Sequence, residues 1–312
     1  MIKKTNKWWP ALLIIIAAMM WGIDGSVLRP ALYSLQAKVV VFTEHAIAFT
    51  IMLILIIITL ITNKKSSWLQ KDIKSIKKLS FKRWLSVGWV AFFGGMIGTI
   101  AITKALFYVG FVPLSVPILL QKLQPIFAIL LARIVLKEKP KKKFYFWAFL
   151  ALIGSYFVTF GLNKPFISFE NKTLMAAILG LIAAFSWGSS TVFGKNILKS
   201  LSFRAATFLR FGVTSILVFL LLILTSSLSG LSNIQPTHIM ILIIIALTTG
   251  GLAIFIYYKG LQKVKASSAT IYELAFPITV LILDYLLHGK ILSIHQFIGA
   301  TLIIISFIKI TK

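Results

Sequence analysis

Long apolar stretches separated by short polar segments run through this chain of 312 residues. A transmembrane helix needs roughly 20 mainly apolar residues, and ten stretches come close to or exceed that length. Their predicted boundaries are 10–28, 40–61, 84–106, 112–135, 144–161, 174–193, 205–225, 239–258, 267–287 and 294–310. The pattern therefore predicts an all-α polytopic membrane protein with ten transmembrane helices.

Basic residues are distributed unevenly between the two sides of these predicted spans. With adjoining span ends included, 25 Lys and Arg fall at the termini and in the loops after the second, fourth, sixth and eighth spans. The other five loops hold 5. Because positive residues accumulate on the cytoplasmic side, we expect both termini in the cytoplasm and a multi-pass location in the inner (cytoplasmic) membrane.

The composition of the chain excludes several classes of protein and of functional site. Hydrophobic residues make up 59% of the chain and charged residues 13%, against about 45–50% and 25% in soluble domains. The absence of cysteine excludes disulfides, thiolate nucleophiles and cysteine-ligated metals. The net charge of +26 lies in clusters between apolar runs, which argues against nucleic acid as a partner. No catalytic motif or metal-ligand spacing is present, so we predict neither an enzyme nor a cofactor.

The longest predicted loop, 62–83, carries regularly spaced apolar residues among its lysines. They are Trp68, Leu69, Ile73, Ile76 and Leu79. This spacing suits an amphipathic helix on the anionic headgroups of the cytoplasmic leaflet. A solvated, lysine-rich linker explains the segment equally well, and both interpretations stay open at this stage.

The two halves of the chain resemble each other. The run Ala17-Ala18-Met19-Met20-Trp21-Gly22 aligns with Ala183-Ala184-Phe185-Ser186-Trp187-Gly188. Further pairs follow in the same order: Glu44 with Arg210, Gly94-Gly95 with Gly250-Gly251, Gln121 with Glu273, and Pro125 with Pro277. An ordered series of Trp-Gly, Gly-Gly and mid-span proline indicates an internal repeat.

A repeat of five spans places its second copy upside down in the membrane. The predicted units are 1–163, which includes the loop at 62–83, and 164–312. Inverted repeats place a binding site between the halves, near the middle of the bilayer, and open it to each side in turn. The arrangement therefore favours a transporter that works by alternating access.

These features resemble the EamA-type family of the drug/metabolite transporter superfamily. The family's glycine–glutamate motif after the fourth span is matched by Leu136-Lys137-Glu138-Lys139, with Lys137 in place of glycine. In the second half, Gly289-Lys290 precedes Gln296 and Gly299, with Lys290 in place of glutamate. The resemblance covers nearly the whole chain. It implies transport of small metabolites, often amino acids, in either direction.

Polar residues within spans are the candidates for substrate contact, because a charge at mid-bilayer costs roughly 2.5–3.5 kcal/mol and is expected to face a cavity. We predict a midplane cavity between the first, fourth, sixth and ninth spans. Its predicted substrate-binding residues are Trp21, Asp24, Gln121, Lys122, Gln124, Trp187, Ser190, Tyr272 and Glu273. Both tryptophans serve equally well as packing anchors.

A second group of residues is predicted to shape helices or gate the pathway. Pro125 and Pro277 each remove a backbone donor and kink a helix; Glu44 with His45, and Arg210, complete the group. Each has a structural alternative, since Glu44 and His45 suit an outer gate and Arg210 suits a lipid phosphate or a helix end. Glu273, Pro277 and Asp284 are spaced to share one helix face.

The hypothesis at this stage is a carrier of an amino acid or similar zwitterion. Lys122 would bind an anionic group, while Asp24 or Glu273 would bind a cationic group or a coupling proton. Translocation of a lipid or lipid headgroup is the second interpretation, and a membrane-bound enzyme ranks third. The occupant of the central cavity distinguishes them.

Overall fold

The computed structural model describes residues 8–63, 66–108, 120–163, 171–289 and 291–312, with the backbone alone at 171 and 173. All regular elements in these ranges are helical. The principal helices are α1 (Trp8–Leu32), α2 (Ala37–Thr62), α3 (Ser67–Lys77), α4 (Phe81–Tyr108), α5 (Gln124–Val135), α6 (Lys142–Phe160), α7 (Asn171–Ile197), α8 (Phe203–Leu224), α9 (Pro236–Leu261), α10 (Ala266–His288) and α11 (Ile294–Thr311).

The predicted spans coincide with these helices. Within the described ranges, nine helices are long and apolar enough to cross a membrane, and α5 is a shorter apolar helix. Helices α1 and α2 are the first two predicted spans, and α4 to α11 are the other eight. The beginning of the fourth predicted span, 112–119, lies outside the described residues. The all-α polytopic fold is confirmed; the count of ten spans and the cytoplasmic termini stay predictions.

The segment between α2 and α4 contains helix α3, which packs on the end of the bundle. Leu69 and Asp72 are buried. The Asp72 carboxylate accepts a hydrogen bond from Arg204 Nε at 3.0 Å, and the Arg204 guanidinium lies 4.8 Å from the Trp68 ring centroid. The structure therefore supports the helical interpretation of this loop. Its contact with anionic headgroups stays a prediction.

The main helix contacts made by one half have counterparts made by the other half. Helix α1 packs on α9 and α10, and α7 packs correspondingly on α4 and α5. The pairs α2–α8 and α6–α11 each join equivalent helices of the two halves. At the α6–α11 crossing, a Cβ on Gly154 would lie 2.7 Å from the Gly299 carbonyl oxygen. Small residues thus let the backbones approach closely there.

Five of these helices depart from regular α geometry, among them α9, which a turn interrupts between Leu247 and Gly251. These departures position the candidate site. Helix α1 passes through a π turn at Asp24–Leu28, and α4 passes through another at Val90–Ile97. Short turns precede Pro125 in α5 and Pro277 in α10. Irregular backbone at membrane depth is tolerated where protein or a cavity satisfies its polar groups. The departures in α1, α5, α9 and α10 contribute residues to the wall of one central cavity. The departure in α4 acts on the wall through the Gly94 carbonyl oxygen, which accepts a hydrogen bond from Arg210.

A carboxylate joins the two halves at the end of α5. Glu138 accepts hydrogen bonds from the backbone N–H groups of Ala266 and Ser267 at 2.9 and 3.1 Å, and from the Ser267 hydroxyl at 2.6 Å. It therefore caps the first turn of α10, whose N–H groups have no partner within the helix. Lys137, at the glycine position of the motif, has a φ of 56°, in the left-handed region that glycine adopts most easily.

Candidate functional site

A cavity of about 1280 Å³ occupies the centre of the bundle. Its walls include residues from both halves, and it extends toward Gly161, His288 and His295. These residues mark the end of the bundle that the charge distribution predicts to be extracellular. Glu273, Pro277 and Asp284, which were predicted to share one face of α10, all line the cavity.

A buried ion cluster lies in the wall of the first half. Arg29 Nη2 lies 2.6 Å from Asp24 Oδ2 and 3.1 Å from Glu44 Oε2. Arg29 Nη1 donates to the Thr103 hydroxyl at 3.4 Å, and Thr249 donates to Asp24 at 3.5 Å. One cation thus lies between two carboxylates, which leaves the cluster with one net negative charge when all three groups are ionised.

Arg29 was not predicted from the sequence, because the first predicted span ends at residue 28. The helix continues to Leu32 through the π turn, in which the backbone N–H of Arg29 bonds the carbonyl oxygen of Asp24. A spacing of five residues places both side chains on one face of a π turn. π turns occur frequently at functional sites, but sequence spacing alone does not identify them.

Glu273 lies in a second polar cluster, in which all hydrogen-bond donors are neutral. Its carboxylate accepts from the Tyr257 hydroxyl at 2.6 Å, from Gln124 Nε2 at 2.5 Å and from the Thr191 hydroxyl at 3.4 Å. Gln124 belongs to the first half, whereas the other three residues belong to the second. The cluster therefore joins the two halves beside the cavity through an anion without an ion-pair partner among the described residues.

Arg210 is also buried on the cavity wall without a carboxylate partner in the described ranges. Its guanidinium donates to the Ser190 and Tyr258 hydroxyls at 3.3 Å each and to the Gly94 carbonyl oxygen at 3.2 Å. The π turn in α4 places this carbonyl where it also accepts from Trp187 Nε1, at 3.2 Å. Within the described ranges, all three hydrogen bonds of the Arg210 guanidinium therefore go to neutral oxygens.

Aromatic side chains supply the apolar part of the cavity wall. Trp21 lies with its ring centroid 5.3 Å from that of Tyr257. Phe276 lies beside Lys122, whose Nζ is 4.1 Å from the ring centroid. Trp187 contributes a further ring, fixed by its bond to Gly94. Planar solutes bind well between such faces.

The structure brings together almost all the residues predicted to bind substrate. Those that line the cavity are Trp21, Asp24, Gln121, Lys122, Gln124, Trp187, Ser190 and Glu273. Tyr272 is not among the lining residues, so the structure does not bring it to the predicted cavity. Its hydroxyl pairs with Thr311 at 2.8 Å and its ring packs against Phe307. Because a turn begins at Glu273, the two neighbours point in different directions. Glu273 faces the cavity, whereas Tyr272 faces α11.

The residues predicted to shape helices or gate the pathway also lie on the cavity wall. They are Pro125, Pro277, Glu44, His45 and Arg210. His45 Nδ1 lies 2.9 Å from the Val41 carbonyl oxygen, and its ring contacts Phe211. Four further residues of the wall were not predicted from the sequence: Arg29, Thr191, Tyr257 and Tyr258. The paired tyrosines in an apolar span are a signal that could have identified two of them.

Comparisons with known proteins agree with this architecture. The model of the EamA-like transporter family matches residues 8–160 and 174–311. The riboflavin transporter ImpX of Fusobacterium nucleatum is 48% identical over 97% of each chain. The uncharacterized transporter YyaM of Bacillus subtilis is 26% identical over 84% of this chain and 80% of its own. The predicted amino acid substrate finds no support in these relatives.

A solved crystal structure has the same fold. It matches with a TM-score of 0.70 over 96% of this chain and 95% of that chain, with 14% identical residues. At this level of identity the likeness shows the fold alone. It nevertheless covers the helices of both halves, including those that form the cavity wall.

Proposed function

Because the chain belongs to the EamA-like transporter family, we propose that it carries riboflavin or a close flavin analogue across the cytoplasmic membrane. The relative that transports riboflavin shares 48% of its residues with this chain over nearly the full length of both. Identity of this extent, spread across both halves, supports a shared substrate class. This single observation carries the proposal.

The shape of the cavity supports a flavin substrate. Drug-sized ligands occupy pockets of roughly 300–1,000 Å³, and the cavity here measures about 1280 Å³. A flavin combines a planar three-ring system with a flexible polyhydroxyl chain. Trp21, Tyr257 and Trp187 offer ring faces to the planar part. Gln121, Ser190 and neighbouring hydroxyls offer hydrogen bonds to the chain.

Alternating access and proton coupling form the mechanistic part of the proposal. Glu273 contacts Gln124 across the boundary between the halves, so movement of one half against the other would change the surroundings of this carboxylate. Its donors are neutral, whereas Asp24 is bound to Arg29. Glu273 is therefore a better proton carrier than Asp24, which the sequence analysis considered equally.

Uptake by the purified protein in liposomes tests the substrate. We expect saturable uptake of labelled riboflavin, reduced roughly 5- to 150-fold by Trp21→Ala, because a stacked ring contributes about 1–3 kcal/mol. Trp84→Ala is the matched control, since Trp84 lies 41% exposed at the start of α4 and outside the cavity. Uptake of amino acids instead of riboflavin, or movement of labelled lipid alone, would refute the flavin proposal.

The same liposomes test the coupling. Riboflavin uptake by the wild-type protein should depend on a transmembrane proton gradient. In Glu273→Gln, riboflavin binding should persist while the dependence of uptake on the gradient disappears. The amide keeps the size of the side chain but does not take up and release a proton as a carboxylate does. A gradient effect of equal size in both proteins would contradict the role of Glu273.

A further inference from the structure

Lys122 differs from the other cations of the cavity wall because it has no anionic or hydrogen-bonding partner in the described part of the chain. It lies in the turn that precedes Pro125, and the residue is 9% exposed. The ammonium lies over the face of Phe276, with Nζ 4.1 Å from the ring centroid. The remaining donor directions are available to the cavity.

A buried ammonium without an acceptor is costly to maintain. Transfer of an unpaired charge from water into a protein interior costs several kcal/mol, and a cation–π contact returns about 2 kcal/mol when desolvated. A solute that brings an acceptor into the cavity would satisfy the remaining donors. The position of Lys122 therefore indicates a binding contact with the solute.

The charges of the cavity wall determine which kind of solute fits. The two arginines of the wall already have acceptors. Arg29 binds two carboxylates, and Arg210 donates to three neutral oxygens. Four carboxylates line the described wall, from Asp24, Glu44, Glu273 and Asp284. Lys122 and the two arginines supply three positive charges to this wall, which is fewer than the four negative charges of the carboxylates. A phosphate dianion would meet repulsion here, whereas one carbonyl acceptor would be matched by one ammonium.

On the basis of the flavin transport proposed above, we propose that Lys122 donates to the carbonyl-rich pyrimidine edge of a flavin without a phosphate group. This edge carries two carbonyl oxygens and a ring nitrogen that accept hydrogen bonds, and a nearby cation stabilises their partial negative charge. The ring system then lies along the aromatic wall. Lys122 selects the ring edge, and the carboxylates of the cavity wall reject phosphorylated flavins.

Ligand binding to the full-length protein in detergent tests this assignment. The probes are riboflavin, lumiflavin, which keeps the ring but lacks the polyhydroxyl chain, and flavin mononucleotide; their fluorescence reports binding. We expect Lys122→Gln to weaken both riboflavin and lumiflavin by roughly 10- to 100-fold, the range of a charge-assisted hydrogen bond. The wild-type protein should bind flavin mononucleotide at least tenfold more weakly than riboflavin.

Lys104→Gln provides the matched control. Lys104 also lies over an aromatic ring, with Nζ 5.4 Å from the Tyr108 centroid, but it is exposed and does not line the cavity. This variant should bind both flavins as the wild type does. Lys122→Met offers a second neutral replacement that suits the apolar surroundings of the side chain.

A ligand-side experiment needs no variant. Sulfur is a weaker acceptor than oxygen, so a flavin with sulfur at the C2 carbonyl position should bind the wild-type protein several-fold more weakly than riboflavin. Equal affinities would overturn the contact with this edge.

Other outcomes are equally decisive. A folded Lys122→Gln protein that binds lumiflavin as tightly as the wild type does would overturn the role of Lys122 at the ring. Equal binding of riboflavin and flavin mononucleotide would overturn the argument from charge. If the wild-type protein binds no flavin, the proposed function itself fails, and this inference fails with it.

Discussion

The two buried arginines of the cavity wall are stabilised in different ways. Arg29 lies between the carboxylates of Asp24 and Glu44, all within the first half of the chain. Arg210 donates to two hydroxyl oxygens and one backbone carbonyl oxygen, contributed by α4, α7 and α9. The first arginine is neutralised locally, whereas the second keeps its charge next to the cavity.

This difference separates structural charges from charges that a solute can use. Removing one member of a buried ion pair is expensive, because the other member stays buried without compensation. Removing a cation that only neutral dipoles hold leaves no such charge behind. We therefore expect the first region to determine stability and the second, with Lys122 and Glu273, to determine what the cavity binds.

Removal of the Arg29 charge should give the largest effect on stability. In Arg29→Gln the carboxylates of Asp24 and Glu44 face each other without a cation, which should cost about 3–5 kcal/mol and abolish or strongly reduce folded protein. Thermal unfolding in detergent measures this loss. Adding Asp24→Asn and Glu44→Gln to the same variant should restore most of the stability. A single variant as stable as the wild type would contradict the structural role.

The second-largest loss of stability is expected when the Gly94 carbonyl, the backbone acceptor of Arg210, is displaced. A Cβ on Gly94 would lie 2.0 Å from Ser190 Oγ and 2.5 Å from Ser190 Cβ. Gly94→Ala should therefore push α4 away from α7 and cost about 1–3 kcal/mol. Gly88→Ala on the same helix is the control, because a Cβ there meets nothing within 4 Å. Equal melting temperatures for the two variants would argue against this tight crossing.

Neutralisation of Arg210 should have a smaller effect than neutralisation of Arg29. Arg210→Gln loses its three hydrogen bonds but leaves no carboxylate unpaired among the described residues, so we expect a cost of about 1–2 kcal/mol. Parallel denaturation of Arg29→Gln and Arg210→Gln measures the gap between the two arginines. A loss as large as that of Arg29→Gln would show that Arg210 neutralises a carboxylate after all.

Deletion of a single hydroxyl near either arginine should give the smallest losses of stability. Tyr258→Phe removes one of the three acceptors of Arg210 and should cost about 1 kcal/mol. Thr103→Val removes the weakest contact of Arg29, at 3.4 Å, and should cost less because the carboxylates still hold the guanidinium. Thermal shifts of the two purified variants report the order. The reverse order would mean that the carboxylates do not dominate the stabilisation of Arg29.

The spans were predictable from the sequence because the bilayer imposes a simple rule. Every backbone polar group inside the membrane needs an internal partner, so long apolar runs become helices. The predicted stretch 40–61 accordingly appears as Ala37–Thr62, and 267–287 as Ala266–His288. Polar residues in these runs were predicted to face a cavity, and Asp24, Lys122 and Glu273 do so.

The connections between those polar residues were not predictable to the same extent. Arg29 reaches Asp24 through a π turn, which has no simple sequence period. Tyr272 and Glu273 are neighbours, but a turn between helical segments directs one to α11 and the other to the cavity. The hydroxyls of Thr191 and Tyr257 meet Glu273 only because α7, α9 and α10 pack together.

The Glu138 cap at the end of α5 has a consequence for the conformational equilibrium of a carrier. Its three hydrogen bonds fasten the first half to the start of α10, at the opposite end of that helix from His288. Hydrogen bonds to a charged group contribute about 1.5–3 kcal/mol. A contact made in only one of two conformations shifts their populations by that free energy, here roughly tenfold to a hundredfold. For the alternating access proposed above, one carboxylate would thus shift the equilibrium toward the conformation in which these hydrogen bonds are made.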